Sequence, residues 1–146
     1  MSWFTRLPYL RTITPHALAH DGQRWHVRAY CHVHHEFRDF VISRILSIEG
    51  TKPDVARGVD DREWLHMVRL VLAPHPDLSE AQRRAIELDF GMTNGKCELQ
   101  CRQAFLIYIL RQLRLEQKQE LPAEAQQIIL QNRADLEHLL PSAEFR

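Results

Sequence analysis

The alternation of hydrophobic and polar positions changes period midway along this chain. Thr14-Pro15-His16-Ala17-Leu18, Arg24 to Tyr30 and Phe37 to Ile45 follow a period of two and predict three β-strands. In the second, Trp25, Val27, Ala29 and Cys31 face one way and His26, Arg28 and Tyr30 the other. In the third, Val41, Ser43 and Ile45 oppose Phe40, Ile42 and Arg44. Asp21-Gly22 marks the first turn. The pattern predicts a small β-barrel with a greasy interior and a basic, aromatic outer face. Trp3, Phe4, Leu7, Tyr9 and Leu10 precede it and read as a partial strand or an arm against a partner.

Residues 51–62 are polar and broken by Gly and Pro, which makes them a linker between units 1–50 and 63–146. Beyond it, Glu63 to Leu72 reads as an apolar strand. Ser79-Glu80-Ala81-Gln82 is a capping box that opens a helix to about Phe90, with Gly91 as its C-cap. Asn94-Gly95 is a turn, and Lys96 to Arg102 alternates with Cys97, Leu99 and Cys101 inward. Phe105, Leu106, Ile109, Leu110 and Leu113 form a helical stripe. Pro122 opens a third helix with the stripe Ala125, Ile128, Ile129, Leu136, Leu139 and Leu140. The fold class is α+β: a partial small barrel followed by a small α/β unit.

Composition narrows the function classes. The chain has 146 residues, 45% of them hydrophobic and 26% charged, which is globular rather than disordered. Its formal net charge is +0, so any contact with nucleic acid has to come from a local patch. Six of nine histidines lie in the first fifty residues and draw attention to that half. Three cysteines and no secretory signal point to a reducing, cytoplasmic setting, and no apolar run of eighteen residues would span a membrane.

The Cys31-His32-Val33-His34-His35 cluster invites a metal reading, but adjacent strand residues diverge and Cys31 is expected inward, so a hairpin loop and no metal is the expectation. Cys97 and Cys101, four apart on a strand, would stand roughly 13 Å apart, too far for a disulfide. No cysteine comes with a base, and there is no Gly-rich phosphate loop, HExxH or GxSxG, so no catalytic residue and no cofactor are expected. The basic set Arg24, His26, Arg28, Arg38 and Arg44 stands with Tyr30 and Phe40. Arginine forks match phosphates and aromatic rings stack bases, so these residues are candidates for an anionic ligand. The alternative for each is a solvated face. The 105–113 stripe is core before it is interface, yet the second half carries more apolar surface than so small a fold buries easily, and dimerisation would cover it.

Arg24 to Tyr30 followed by Phe40 to Ile45 resembles the WYL domain of bacterial transcriptional regulators. Leu72-Ala73-Pro74-His75-Pro76-Asp77-Leu78-Ser79, with Gln82-Arg83 and Asp89-Phe90-Gly91-Met92, is similar to the C-terminal extension that accompanies it. The likeness covers roughly residues 10–118. It implies an Sm-like, SH3-type barrel that senses ligands, with nucleotides or single-stranded nucleic acid foremost, and an α/β extension that homodimerises. It also implies transcriptional control, including that of phage-defence loci. The name-giving triplet falls on Trp25-His26-Val27, with His26 in place of tyrosine and Val27 in place of leucine. The arginine of the third strand falls on Arg44, beside Ser43. Relatives carry an N-terminal winged helix-turn-helix, which is not evident here, so the expectation is a sensor-plus-dimerisation piece that does not read duplex DNA by itself.

Two functions follow. In one, an anionic ligand docks on Arg28, Arg44 and His26 with help from Tyr30, Ser43, Arg24 and Arg38, and shifts the pairing of subunits. In the other, the chain is a ligand-independent module that heterodimerises with an intact regulator of the same family. Leu110→Glu is then expected to abolish its action and Arg44→Ala to spare it.

Overall fold

The computed structural model of the chain describes residues 9–55, 57–116 and 121–140. Trp3, Phe4 and Leu7 of the expected N-terminal arm lie outside them; Tyr9 and Leu10 are exposed. The chain forms two compact units, residues 1–61 and 62–146. Each contains a three-stranded antiparallel sheet, and neither sheet closes into a barrel among the described residues.

In the first unit, β1 (Ile13–His20), β2 (Trp25–Cys31) and β3 (Glu36–Val41) run as a meander in the order β1-β2-β3. Asp21 builds the first turn: its Oδ1 accepts from the N–H groups of Gln23 and Arg24, both at 2.7 Å, and Gly22 takes φ +96°. A bulge between Pro15 and Ala17 leaves His16 without a register partner on β2 and turns it toward the sheet face. The third strand is shorter than its alternation predicts. It stops at Val41, and Ile42–Arg44 form a 3₁₀ turn that packs on β2. Ser43 and Arg44 thus sit exposed on a turn and not on a strand face.

The second unit orders its strands β5-β4-β6, with β4 (Met67–Pro74) central between β5 (Cys97–Arg102) and β6 (Ile128–Leu130). Around it stand α1 (Arg62–Leu65), α2 (Glu80–Asp89), α3 (Leu106–Gln112) and α4 (Arg133–Leu136). Leu70, Leu72, Leu106 and Leu110 are fully buried and join Ile86, Cys101, Ile128 and Leu136 in one apolar cluster. The 105–113 stripe is therefore core.

The capping box forms as its spacing predicts. Gln82 N–H donates to Ser79 Oγ at 3.2 Å, and Ser79 N–H donates to Gln82 Oε1 at 3.0 Å. Gly91 follows the helix at φ +60°, and Asn94 and Gly95 turn at +54° and +74°. Ser79→Ala is expected to cost about 1 kcal/mol in urea unfolding, since it orphans one helix-terminal N–H. A loss below a few tenths would mean water replaces the cap.

Three expectations for the second unit differ from the structure. Residues 62–65 form the helical turn α1 instead of the start of a strand. Tertiary contacts override the apolar pattern there: Trp64 packs edge-on against Phe105 at 5.4 Å, lies 4.5 Å from the Arg102 guanidinium, and gives its carbonyl to Arg102 Nη1 at 2.6 Å. The helix expected from Pro122 is replaced by strand β6. Ile128 and Ile129 are β-branched and suit a strand, and β4 has an edge to fill, so Leu130, Ile129 and Ile128 pair with Leu72, Ala73 and Pro74. Asn132 extends that pairing with its side chain, accepting from Val71 N–H and donating to the Arg69 carbonyl, each at 2.9 Å. On β5, Cys101 is buried and Cys97 half-buried, but Leu99 stays 40% exposed on this edge strand. Burial pushes both thiols up, away from thiolate reactivity.

Candidate functional site

The alternation predicted for β2 brings His26, Arg28 and Tyr30 to one face. That face is covered. Arg28 is 3% exposed and His26 is equally buried, whereas Trp25, expected in the core, is 54% exposed. The centre of the first unit is an ionic network beside Ala29 and Cys31, which are also buried.

Arg28 is its hub. Cross-strand register sets it opposite Asp39 on β3, and its Nη1 donates to Asp39 Oδ1 at 3.3 Å. Its Nε and Nη2 donate to Oδ2 and Oδ1 of Asp61 at 2.7 and 2.8 Å, a two-point fork on a carboxylate that is 1% exposed. His16, turned inward by the bulge, places Nε2 2.9 Å from the same Asp61 Oδ2. Asp61 follows the 3₁₀ turn Gly58–Asp60, inside the stretch whose composition reads as a linker.

Aromatic rings flank the hub. Tyr30 meets Phe37 at 5.3 Å and His32 at 5.1 Å, and Phe37 meets His16 at 5.7 Å, all edge-to-face. Arg57 lies over Tyr30 with its guanidinium carbon 4.8 Å from the ring centre. Thr14, opposite Tyr30, donates its hydroxyl to Asp54 and is 2.7 Å from His32 Nε2. That hydroxyl and the Val55 N–H hold the Asp54 carboxyl below the usual carboxylate range.

His26 pairs separately with Asp21, Nε2 to Oδ2 at 2.8 Å. Burial alone would raise the Asp21 pKa, but bonds from His26 and from the Arg24 and Gln23 amides outweigh it and hold the carboxyl well below its ordinary value. A depressed carboxylate stabilises the fold above its unfolded pKa of about 3.9, and the gain is lost as pH falls through the folded value. Asp21→Ala is therefore expected to cost about 1–2 kcal/mol at pH 7. The gap from wild type should shrink below about pH 4. Urea titrations at pH 7 and pH 3 test this; an equal gap at both would assign the loss to turn geometry alone.

The remaining sequence candidates divide by place. Arg38 pairs with Ala29 in register, so it lies on the face opposite Arg28, and it binds Glu36. Phe40 pairs with Val27 and shares that opposite face. Arg24, 3.9 Å from Asp21, lies just before β2, and Ser43 and Arg44 just after β3. His26 opposite Val41 brings these two strand ends to the same end of the sheet. Sequence reasoning missed Asp61, Asp54, His16, Thr14 and Arg57. Apart from the Arg57–Asp54 pair, their partners lie far away in sequence, and no local period signals such pairs.

The Cys31–His35 cluster is a turn in which His35 takes φ +55° and His34 meets the Tyr9 hydroxyl at 3.2 Å. No helix among the described residues is long and apolar enough to cross a membrane.

Residues 4–49 match the WYL domain, and residues 67–136 match the C-terminal dimerization domain of the BrxR transcriptional regulator. Proteins named DNA-binding transcriptional repressor CapW are similar over most of the chain. Those of Escherichia coli strain KTE188 and Pseudomonas aeruginosa are each 46% identical over 131 residues, covering 89% of this chain and 44% of the relative. The one from Stenotrophomonas maltophilia is 44% identical over 125 residues, 82% of this chain and 41% of its own length. The chain thus spans less than half the length of the curated relatives it matches. With a WYL match on the first unit and a BrxR-type dimerization-domain match on the second, the chain belongs to the WYL-domain family.

Proposed function

We propose that the chain is the ligand-sensing and dimerisation part of a transcriptional repressor, and that the ligand is a phosphate-bearing anion, a nucleotide or a single-stranded nucleic acid. The observation that carries this reading is the Arg28 fork on Asp61, with His16 and Tyr30 beside it on the same face. A buried ion pair is a poor source of stability, because desolvation offsets most of the Coulomb gain. An apolar centre would hold the sheet at least as well, so a cationic, aromatic face at this position is better explained by binding. Arg44 and Ser43 at the end of β3 extend the surface to solvent and give an incoming anion its first contact. The second unit supplies the pairing through which binding is read, provided the ligand prefers one arrangement of the dimer.

The test is fluorescence anisotropy with a short labelled single-stranded oligonucleotide at two salt concentrations. Saturable binding that weakens with salt is expected. Arg44→Ala, exposed and so neutral for folding, is expected to weaken binding about tenfold or more, the worth of one charge-assisted hydrogen bond. Unchanged affinity would remove Arg44 from the site. No binding by wild type, nor by a variant that lacks the Asp61 carboxylate, would overturn the anion reading and leave a module that works by pairing alone.

A further inference from the structure

Arg28 on this face of the first unit already holds two anions, Asp39 and Asp61, and both belong to the chain. Asp61 presents two oxygens to the Nε and Nη2 edge of Arg28 at 2.7 and 2.8 Å, the same two-point geometry with which arginine grips a phosphate. His16 Nε2 completes the grip at 2.9 Å from one of those oxygens. A second carboxylate nearby repeats the arrangement more loosely: Asp54 accepts from Thr14 and stands 3.3 Å from His32 Nε2 and 3.9 Å from Arg57 Nε. Arg57 Nε is shielded from solvent and makes no hydrogen bond among the described residues.

The segment that carries Asp61 is held lightly by its own backbone. Residues 57–61 form one 3₁₀ turn closed by Asp60 N–H to the Arg57 carbonyl at 2.9 Å and Asp61 N–H to the Gly58 carbonyl at 3.3 Å. Val59 and Asp60 within it are exposed. Gly58 lies directly on His16: a Cβ there would come 3.1 Å from His16 Nδ1, so glycine is what lets the turn settle on the ring. The turn contributes none of the unit's buried apolar side chains; its inward contacts are Asp61 on Arg28 and His16, Gly58 on the His16 ring and Arg57 over Tyr30.

We propose that the Asp61 carboxylate is an internal stand-in for a phosphate group: the Arg28–His16 pocket is the phosphate subsite of the ligand site, and the ligand enters by displacing the 57–61 turn. This rests on the anionic-ligand reading above and adds to it a named competitor and a named position for the phosphate. Asp39 stays on Nη1 of Arg28 throughout and keeps the guanidinium aimed while the occupant changes. Asp61 is the last residue of the first unit and is bonded directly to Arg62, the first of the second. Exchange of the carboxylate for a phosphate therefore frees the peptide that leads into the dimerization unit.

The experiment compares wild type, Asp61→Asn and Gly58→Ala, using the whole chain and the labelled oligonucleotide as probe. Asp61→Asn removes the competing charge and is expected to bind at least tenfold more tightly than wild type. Gly58→Ala keeps every charge but pushes the turn off His16, and a smaller tightening is expected. Hydrogen exchange on wild type gives a reading that needs no variant: saturating probe is expected to expose the amides of Asp60 and Asp61 while the β1–β2 ladder stays protected. Competition by a nucleoside monophosphate at similar concentration assigns the subsite to a single phosphate; failure to compete assigns it to the backbone of a strand. Binding by wild type with unchanged affinity in both variants and a protected turn overturns the stand-in and leaves the anion reading intact. Binding by Asp61→Asn alone supports it, as a site shut by its own occupant. Absence of binding in all three overturns both. If Asp61→Asn does not fold, exchange on wild type and affinity of Gly58→Ala decide.

Discussion

Arg28→Ala is expected to cost the first unit about 3–5 kcal/mol, the characteristic loss when one member of a buried ion network is removed. The size follows from what the change leaves behind. Asp61 is 1% exposed and Asp39 12%, and both face Arg28. With the guanidinium gone, both carboxylates lose the cation that offsets much of their desolvation. Urea unfolding followed by a first-unit probe such as Trp25 fluorescence measures the loss. Exchange of Arg28, Asp39 and Asp61 together for apolar residues of similar size is expected to recover most of it, because nothing charged then remains buried. A loss under about 1 kcal/mol for Arg28→Ala would mean that water reaches the site, and the description of the network as buried would fail.

Leu110→Ala is expected to destabilise the second unit by about 2–5 kcal/mol, as truncation of a fully buried leucine does. Leu110 is 0% exposed and belongs to the cluster around Leu70, Leu72 and Leu106. The loss contains the transfer energy of the missing carbons and the cavity they leave, and the neighbours are held by β4 and α3 and collapse only partly. The same burial changes the meaning of Leu110→Glu. Its helical stripe makes it look like a probe of subunit pairing, but a carboxylate there would unfold the unit. A probe of pairing has to be an apolar side chain exposed in the single chain, and Leu99 on the edge strand β5 is one. A loss under about 1 kcal/mol for Leu110→Ala, measured by urea unfolding, would show that the cluster repacks freely.

The elements legible in the sequence are those set by neighbours in the sequence. Ser79 and Gln82 are three apart and cap the same helix end; Asp21 and Gly22 turn the chain they belong to; the alternation of β2 places His26, Arg28 and Tyr30 on one face. Where a distant partner decides, local pattern misleads. Ile128 and Ile129 fit a helical stripe until β4 offers them an edge, and Trp64 fits a strand until Arg102 and Phe105 draw it into a turn. The site divides in the same way. Arg28 and Tyr30 are legible because they alternate along one strand, whereas His16 and Arg57 are not. The anionic half of the site is not legible either, because Asp54 and Asp61 stand in a polar stretch that composition can only describe as linker, and the bulge that turns His16 inward has no signature beyond Pro15.

The two interiors respond to temperature to different degrees. Exposure of the leucine cluster of the second unit raises heat capacity, so the stability of that unit is a curved dome that weakens on cooling as well as on heating. Exposure of the charged centre of the first unit lowers heat capacity, and the penalty for keeping ions dry shrinks on warming, so its stability curve is flatter. Warmth therefore tilts the balance of order within one chain toward the half built on Arg28, and cold takes its larger share from the half built on leucine.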